Sequence, residues 1–278
     1  MSYEDFFGFK LEPFALEPDP KFYFNSPQHS VAREYILHAT SRGRGMALLM
    51  GYIGTGKTTL SRRIIFELEE NDEYEVGTIV LTHPPSAKAL LQKIAYIVGV
   101  EDIKGEPDKL FSMTAALLEE RFSEGKKTLV FIDESNKLSD PEAIEELRGF
   151  LNLETADGKK LITFVLIGLP DLDEHLRNNS ALYQRIAVRI ILKPLDKAST
   201  EAYIKHRLKI AGVFDEIFTQ NAIEYVYEYS GGRPRLINIL CDNALLEAYL
   251  QRKHTIDEFI ITKVAELQGL SRKSEINT

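Results

Sequence analysis

The chain has 278 residues, 44% hydrophobic, 27% charged and 10% aromatic, a makeup that excludes collagen and a disordered chain. Its one cysteine, Cys241, excludes a disulfide framework and a cysteine zinc cluster and suits a reducing compartment. Lys and Arg number 34 against 42 Asp and Glu, and neither the first 193 residues (23 against 30) nor the remainder (11 against 12) is basic, which weighs against a protein that coats phosphate backbones. Residues 1–5 lack the basic and apolar regions of a signal peptide. The longest apolar run, 161–169, is about half of what a membrane-spanning helix needs, so a soluble, cytoplasmic protein with no membrane span is expected.

Residues 1–25 interleave Tyr3, Phe6, Phe7, Phe9, Phe14, Phe22, Tyr23 and Phe24 with Pro13, Pro18 and Pro20 at spacings that fit neither helix nor strand. This reads as an extended arm that covers an open core edge; a sharper alternative is that it also walls a nucleotide base. Ser26 and Pro27 open a helix to about 41, before Gly43 and Gly45. Residues 1–45 are assigned to the core on this basis. Strands follow at 46–50, 76–81, 128–132, 161–167 and 188–192. Helices separate them at 57–70, 86–98, 107–123, from Asp140-Pro141, and to about 183. The pattern is that of an α/β domain, 46–194, with a five-stranded parallel sheet. Beyond Pro194 only helical patterns remain, at 200–211, 219–229, 234–251 and 256–267, giving a small all-α domain over 195–270. Residues 271–278 read as a frayed tail.

The run Gly51-Tyr52-Ile53-Gly54-Thr55-Gly56-Lys57-Thr58, followed by Thr59, matches GxxxxGK[ST] directly between a strand and a helix. Glycines let successive backbone N–H groups turn toward phosphate oxygens, and the helix N-terminus adds partial positive charge. Lys57 bridges the terminal phosphates and Thr58 ligates Mg²⁺ in such a P-loop. The apolar run 129–132 ends in Asp133 and Glu134: Asp133 is placed to hold the metal through its water shell, Glu134 to polarise the attacking water. No NKxD guanine-reading motif is present. Arg185 and Arg189 flank the approach to the last strand, from which an arginine could reach a neighbouring subunit's γ-phosphate. Arg235 follows Pro234 on the first turn of a helix, where its guanidinium could contact the γ-phosphate.

The order of these features resembles an AAA+ ATPase, specifically the ExeA/GspA-type family of bacterial ATPases. The resemblance is carried by Tyr3-Glu4-Asp5-Phe6-Phe7-Gly8-Phe9, Pro13-Phe14, Pro18-Asp19-Pro20, the Gly51 loop, Ile132-Asp133-Glu134, Gly168-Leu169-Pro170-Asp171-Leu172, Gln184-Arg185-Ile186 and Pro234-Arg235-Leu236-Ile237-Asn238. It implies an AAA+ core with a helical lid, ATP and Mg²⁺, nucleotide-linked self-assembly, and a role in building secretion, pilus or polysaccharide-export machinery. By that likeness Arg185 is the arginine finger and Arg235 the lid's sensor arginine. Two departures stand out. Relatives usually carry glutamine where this chain has Leu169, whose side chain cannot hydrogen-bond water, so slow hydrolysis is expected unless a group such as Asn136 substitutes. Ser135-Asn136 also replaces the relatives' Ala-Gln. Long members continue into a membrane span and a peptidoglycan-binding module, so for this chain the envelope link is expected to run through an inner-membrane or envelope-complex partner. An ATP-dependent duplex DNA regulator, as in the related MuB and TniB transposition ATPases, is the alternative, pointed to by Arg42, Arg44, Lys159 and Lys160. A nucleotide-gated switch with negligible turnover is the third reading.

Overall fold

The computed structural model describes residues 2–17 and 19–272; Pro18 and 273–278, most of the expected tail, lie outside the described residues. In chain order the elements are α1 (Tyr3–Phe7), α2 (Pro27–Ser41), β1 (Met46–Gly51), α3 (Lys57–Glu69), β2 (Tyr74–Val80), α4 (Ala87–Val98), α5 (Pro107–Ser123), β3 (Lys127–Asp133), α6 (Pro141–Asn152), β4 (Ile162–Gly168), α7 (Leu172–Arg177), α8 (Ser180–Tyr183) and β5 (Ile186–Leu192). Four helices follow: α9 (Lys197–Ile210), α10 (Gln220–Ser230), α11 (Pro234–Leu250) and α12 (Glu258–Leu267). The chain divides into a sheet unit, Pro27–Tyr52 with Leu60–Leu192, and a helical unit, Met1–Ser26, Ile53–Thr59 and Lys193–Thr278.

In the sheet unit the five strands are all parallel, in the order β2-β3-β4-β1-β5. Successive side chains on a strand point to opposite faces. Every residue of β1 and of β4 is nevertheless buried, so both faces of the central sheet are covered. The edge strand β5 alternates instead, with Ala187, Arg189 and Ile191 exposed. Helix starts follow local chemistry. Ser86 and Asp140 accept from the N–H groups of Ala89 and Glu142 ahead of α4 and α6, and Pro141 takes the first position of α6, where no N–H is needed.

The helical unit buries its own apolar cluster, including Ile204, Val226, Ile237, Leu240, Cys241 and Ile261. The arm belongs to this cluster, which corrects its assignment to the sheet-bearing core. Its partners explain the difference. Phe14, 1% exposed, meets Phe218 edge-on at 6.0 Å; Phe24 meets Tyr203 at 5.6 Å; Phe6 stacks on His254 at 4.1 Å. Arg207, 6% exposed, ties the arm down: it donates to the carbonyls of Pro13 and Ala15 and to Tyr203 Oη, and lies 4.7 Å from the Phe22 ring. Tyr3 Oη donates to Asp242 Oδ1 at 2.7 Å, and burial pushes the Asp242 carboxyl up from its ordinary value. The arm is also less extended than its composition suggests: Ser2 and Asp5 form a capping box that starts α1.

Gly232 shows how closely the unit is assembled. It has φ +75°, Leu195 N donates to its carbonyl at 2.7 Å, and a Cβ there would meet Leu195 O at 1.9 Å. Gly8 has the same φ with nothing within 4 Å. Gly8→Ala is therefore expected to cost only the left-handed strain, about 1–2 kcal/mol, and Gly232→Ala distinctly more. Chemical denaturation of the two variants measures the difference, and equal losses would mean that the Leu195 carbonyl moves aside.

Candidate nucleotide site

Parallel pairing sets the carboxyl ends of three strands side by side. Met50 pairs with Gly168 and Ile132 with Leu166, so β1, β4 and β3 end in Gly51, Gly168 and Asp133 along one edge of the sheet. In open α/β sheets the carboxyl edge is where ligands bind. Asp133 Oδ1 accepts from Glu134 N at 2.8 Å, and Asp133 O accepts from Leu81 N at 3.1 Å, which fixes the end of β3. Glu134 turns into the left-handed region with φ +57°, a conformation uncommon for a residue with a side chain and concentrated at functional sites. The turn after it, Ser135–Lys137, is held from both sides: Ser135 Oγ donates to Ile132 O at 2.6 Å, and Lys137 Nζ to Leu81 O at 2.8 Å. Lys137 Nζ also lies 3.9 Å from Glu134 Oε2, and Glu134 is half exposed.

The loop leaves β1 through Gly51 and the exposed Tyr52 and Ile53. Gly54 and Gly56 have φ +79° and +95°, Thr55 is buried, and Lys57 begins α3, so Thr58 and Thr59 stand in its first turn. These are the features a phosphate cradle needs: backbone N–H groups turned by glycine and a helix N-terminus behind them. Within the helical unit, Arg235 N lies 3.4 Å from Gly54 O, and a Cβ on Gly54 would stand 3.0 Å from Arg235 Cβ. The first turn of α11 therefore abuts the loop. The side chain of Arg235 is exposed on that turn.

Arg185 is elsewhere. It immediately precedes β5, whose first residue Ile186 pairs with Met46, so it sits at the amino edge of the sheet. A strand of six or seven residues spans roughly 20 Å, which separates Arg185 from the carboxyl edge of its own sheet. Its guanidinium donates to Ala181 O and Asn152 Oδ1, both at 2.6 Å. Arg189 is engaged differently, at 4.1 Å from the Tyr183 ring centroid and 3.5 Å from Asp173.

Sequence reading missed Lys137, whose only signal was a cation three residues beyond Glu134, and the approach of Gly54 to Arg235, which joins positions far apart in the chain. Among the described residues no group of three or more His, Cys, Asp or Glu side chains could hold a metal by itself. The Asp133 carboxylate at the end of β3 is an oxygen donor of the kind a hard cation such as Mg²⁺ takes, alongside substrate phosphates and water.

Residues 40–176 match the family described as AAA domain. The chain is 37% identical over 272 residues, 96% of its length, to General secretion pathway protein A of Aeromonas hydrophila. The chain is thus similar to AAA proteins over residues 40–176 and GspA-like across nearly its whole length. It spans 49% of that relative's length. In fold it is similar to the ORC2 protein of Aeropyrum pernix, solved as ADPNP-ADP complexes (TM-score 0.66, 18% identity, 90% of this chain and 71% of that one), and to the ORC1 protein of the same organism in complex with DNA (TM-score 0.66, 18% identity, 92% and 69%). No helix among the described residues is long and apolar enough to cross a membrane.

The Gly54 contact yields a direct expectation. Gly54→Ala adds a methyl group against Arg235 Cβ and strains φ +79°. Folding stability should fall by roughly 1–2 kcal/mol, the left-handed strain of a residue with a side chain. Scanning calorimetry against the parent chain measures it; an unchanged melting temperature would mean that the loop and α11 yield without cost.

Proposed function

We propose that this chain binds ATP with Mg²⁺, hydrolyses it slowly, self-assembles in the nucleotide-bound state and thereby supports assembly of a bacterial envelope machine. The observation that carries the reading is the phosphate loop at Gly51–Thr58, with its glycines in the left-handed region, a helix N-terminus at Lys57 and Arg235 backing Gly54. In this reading backbone N–H groups of the loop and Lys57 bind the β- and γ-phosphates. Thr58 and Asp133 hold Mg²⁺, which when bound neutralises charge on the phosphate oxygens. Glu134 takes a proton from water as the water oxygen bonds to the γ-phosphorus and the bond to the ADP oxygen breaks. Arg235 reaches the γ-phosphate from α11. Slow turnover follows from Leu169, which follows β4 and supplies no hydrogen bond.

Self-assembly is supported by the place of Arg185. From the amino edge of the sheet its guanidinium serves phosphate chemistry in a second copy, where it would exchange Ala181 O and Asn152 for a γ-phosphate oxygen. The likeness to General secretion pathway protein A supports an envelope partner and a place at the inner face of the cytoplasmic membrane through that partner.

A second reading, an ATP-dependent duplex DNA regulator, has one observation in its favour. The turn carrying the exposed Arg42 and Arg44 lies against Lys160: Cβ atoms on Gly43 and Gly45 would stand 3.9 and 3.8 Å from its carbonyl oxygen and Cγ. Lys159 and Lys160 are offset by Asp157 at 2.9 Å and Glu154 at 2.7 Å, so half of the cluster's positive charge is already neutralised. Retention of duplex DNA across a salt series separates the readings, since phosphate binding falls steeply with salt.

Two measurements test the leading reading. Lys57→Ala should abolish measurable ATP binding, whereas Glu134→Gln should bind ATP and lose at least about a hundredfold in turnover, the lower end of what a general base contributes; equal turnover in both variants and the parent would end it. Turnover per molecule should rise with protein concentration and lose that rise in Arg185→Ala. A flat profile with Arg185→Ala unaffected would reject the role in a second copy.

A further inference from the structure

One side of α11 is shared by the phosphate loop and the arm. At 3.6 residues per turn, positions 235, 238, 242 and 249 line a single face of this 17-residue helix. At its first turn Arg235 N lies 3.4 Å from Gly54 O, and a Cβ on Gly54 would stand 3.0 Å from Arg235 Cβ. Further along the same face come residues of the arm. Asn238 Nδ2 donates to Ala15 O at 3.2 Å, Asp242 Oδ1 accepts from Tyr3 Oη at 2.7 Å, and the Tyr249 ring centroid lies 5.5 Å from that of Phe6. All of these groups belong to the helical unit. The arm's fastening also runs through α9. The buried Arg207 donates to the Pro13 and Ala15 carbonyls and to Tyr203 Oη, and Tyr203 Oη donates to Asn238 Oδ1 at 2.8 Å. A loop ordered around phosphate holds the first turn of α11, and a helix held at its first turn keeps Asn238, Asp242 and Tyr249 in register with the arm. Ordering one contact surface lowers the entropy cost of ordering the other.

We propose that the arm is a strap on the phosphate loop: occupation of the loop by nucleotide and closure of the arm over α11 favour one another. This rests on the reading of Gly51–Thr58 as a nucleotide loop and adds a regulated element to it. Because such coupling is reciprocal, whatever draws the arm away from α11 also weakens nucleotide binding.

The single cysteine reports on the strap. Cys241 is fully buried on α11, within electrostatic reach of Arg207, Tyr203 and Asp242, the side chains that hold the arm. Its modification by a small thiol reagent in the native chain therefore measures local opening of the arm. A saturating non-hydrolysable ATP analogue with Mg²⁺ should slow modification by roughly 5- to 150-fold, the usual range of coupling between two sites. Lys57→Ala should show no such slowing. Without nucleotide, Tyr3→Phe should speed modification by about fivefold, the scale of one net hydrogen bond. Asp242→Asn keeps an acceptor for Tyr3 Oη and should stay within about twofold of the parent. The rate should be flat across low urea, because local opening exposes little surface. A rate that climbs steeply from the first addition of urea marks global unfolding as the route to Cys241 and overturns the strap. So does a parent chain that binds the analogue with no change in rate, or a Tyr3→Phe chain modified as slowly as the parent. A parent chain that binds no nucleotide instead overturns the reading of the loop itself.

Discussion

A strand buried on both faces can carry polar chemistry only at its ends. Burying an unpaired carboxylate or guanidinium in the middle of β1 or β4 would cost far more than the fold can supply, and both strands are buried throughout and carry no charged residue. The functional groups of the sheet unit are consequently at its two edges. Asp133, Glu134 and Asn136 collect where the strands end, Arg185 where β5 begins. Because all five strands run the same way, these edges differ in chemistry, the carboxyl edge ending in Asp133 and Glu134 and the amino edge carrying the Arg185 guanidinium.

The helical unit answers a different problem. Its four long helices and the arm bury one apolar cluster, and Arg207 is the charge around which the arm is folded. Inside the cluster that guanidinium is satisfied by carbonyls, a phenol oxygen and aromatic faces. Asn238 on α11 donates to the same Ala15 carbonyl and accepts from Tyr203 Oη. The arm and α11 are thus joined through shared partners, and α11 carries Arg235 against Gly54 one turn ahead of Asn238. Any rearrangement of α11 is felt at the loop on one side and at the arm on the other.

Features set by local chemistry were legible in the sequence: the phosphate loop, the acid pair after an apolar strand, the Pro-opened helices at Pro27, Pro107, Pro141 and Pro234, and the parallel five-stranded sheet. The first three depend on residues within one turn or one strand of each other, and the sheet on the repeated alternation of apolar strands with helices. What was not legible depends on pairings across the chain. The arm's aromatics announce burial but not against which core, and only the contacts of Phe14 with Phe218 and of Arg207 with Pro13 place them. Gly168 reads as an ordinary strand end until Asn136 is seen against it, and Gly232 as a flexible hinge until Leu195 is seen to fill the space where a Cβ would stand. Glycine in a sequence states that a side chain is absent; only packing shows what needs the room.

Lys137 bears on how the end of β3 is held. Its ammonium, held by Leu81 O, stands 3.9 Å from the Glu134 carboxylate. At that distance, and with Glu134 half exposed, the pair adds little stability and serves to orient the carboxylate. Leu169, which follows β4, carries a side chain that neither donates nor accepts a hydrogen bond, so the polar groups at this edge of the sheet are the acid pair that ends β3 and the turn Ser135–Lys137 anchored behind it through Ile132 O and Leu81 O.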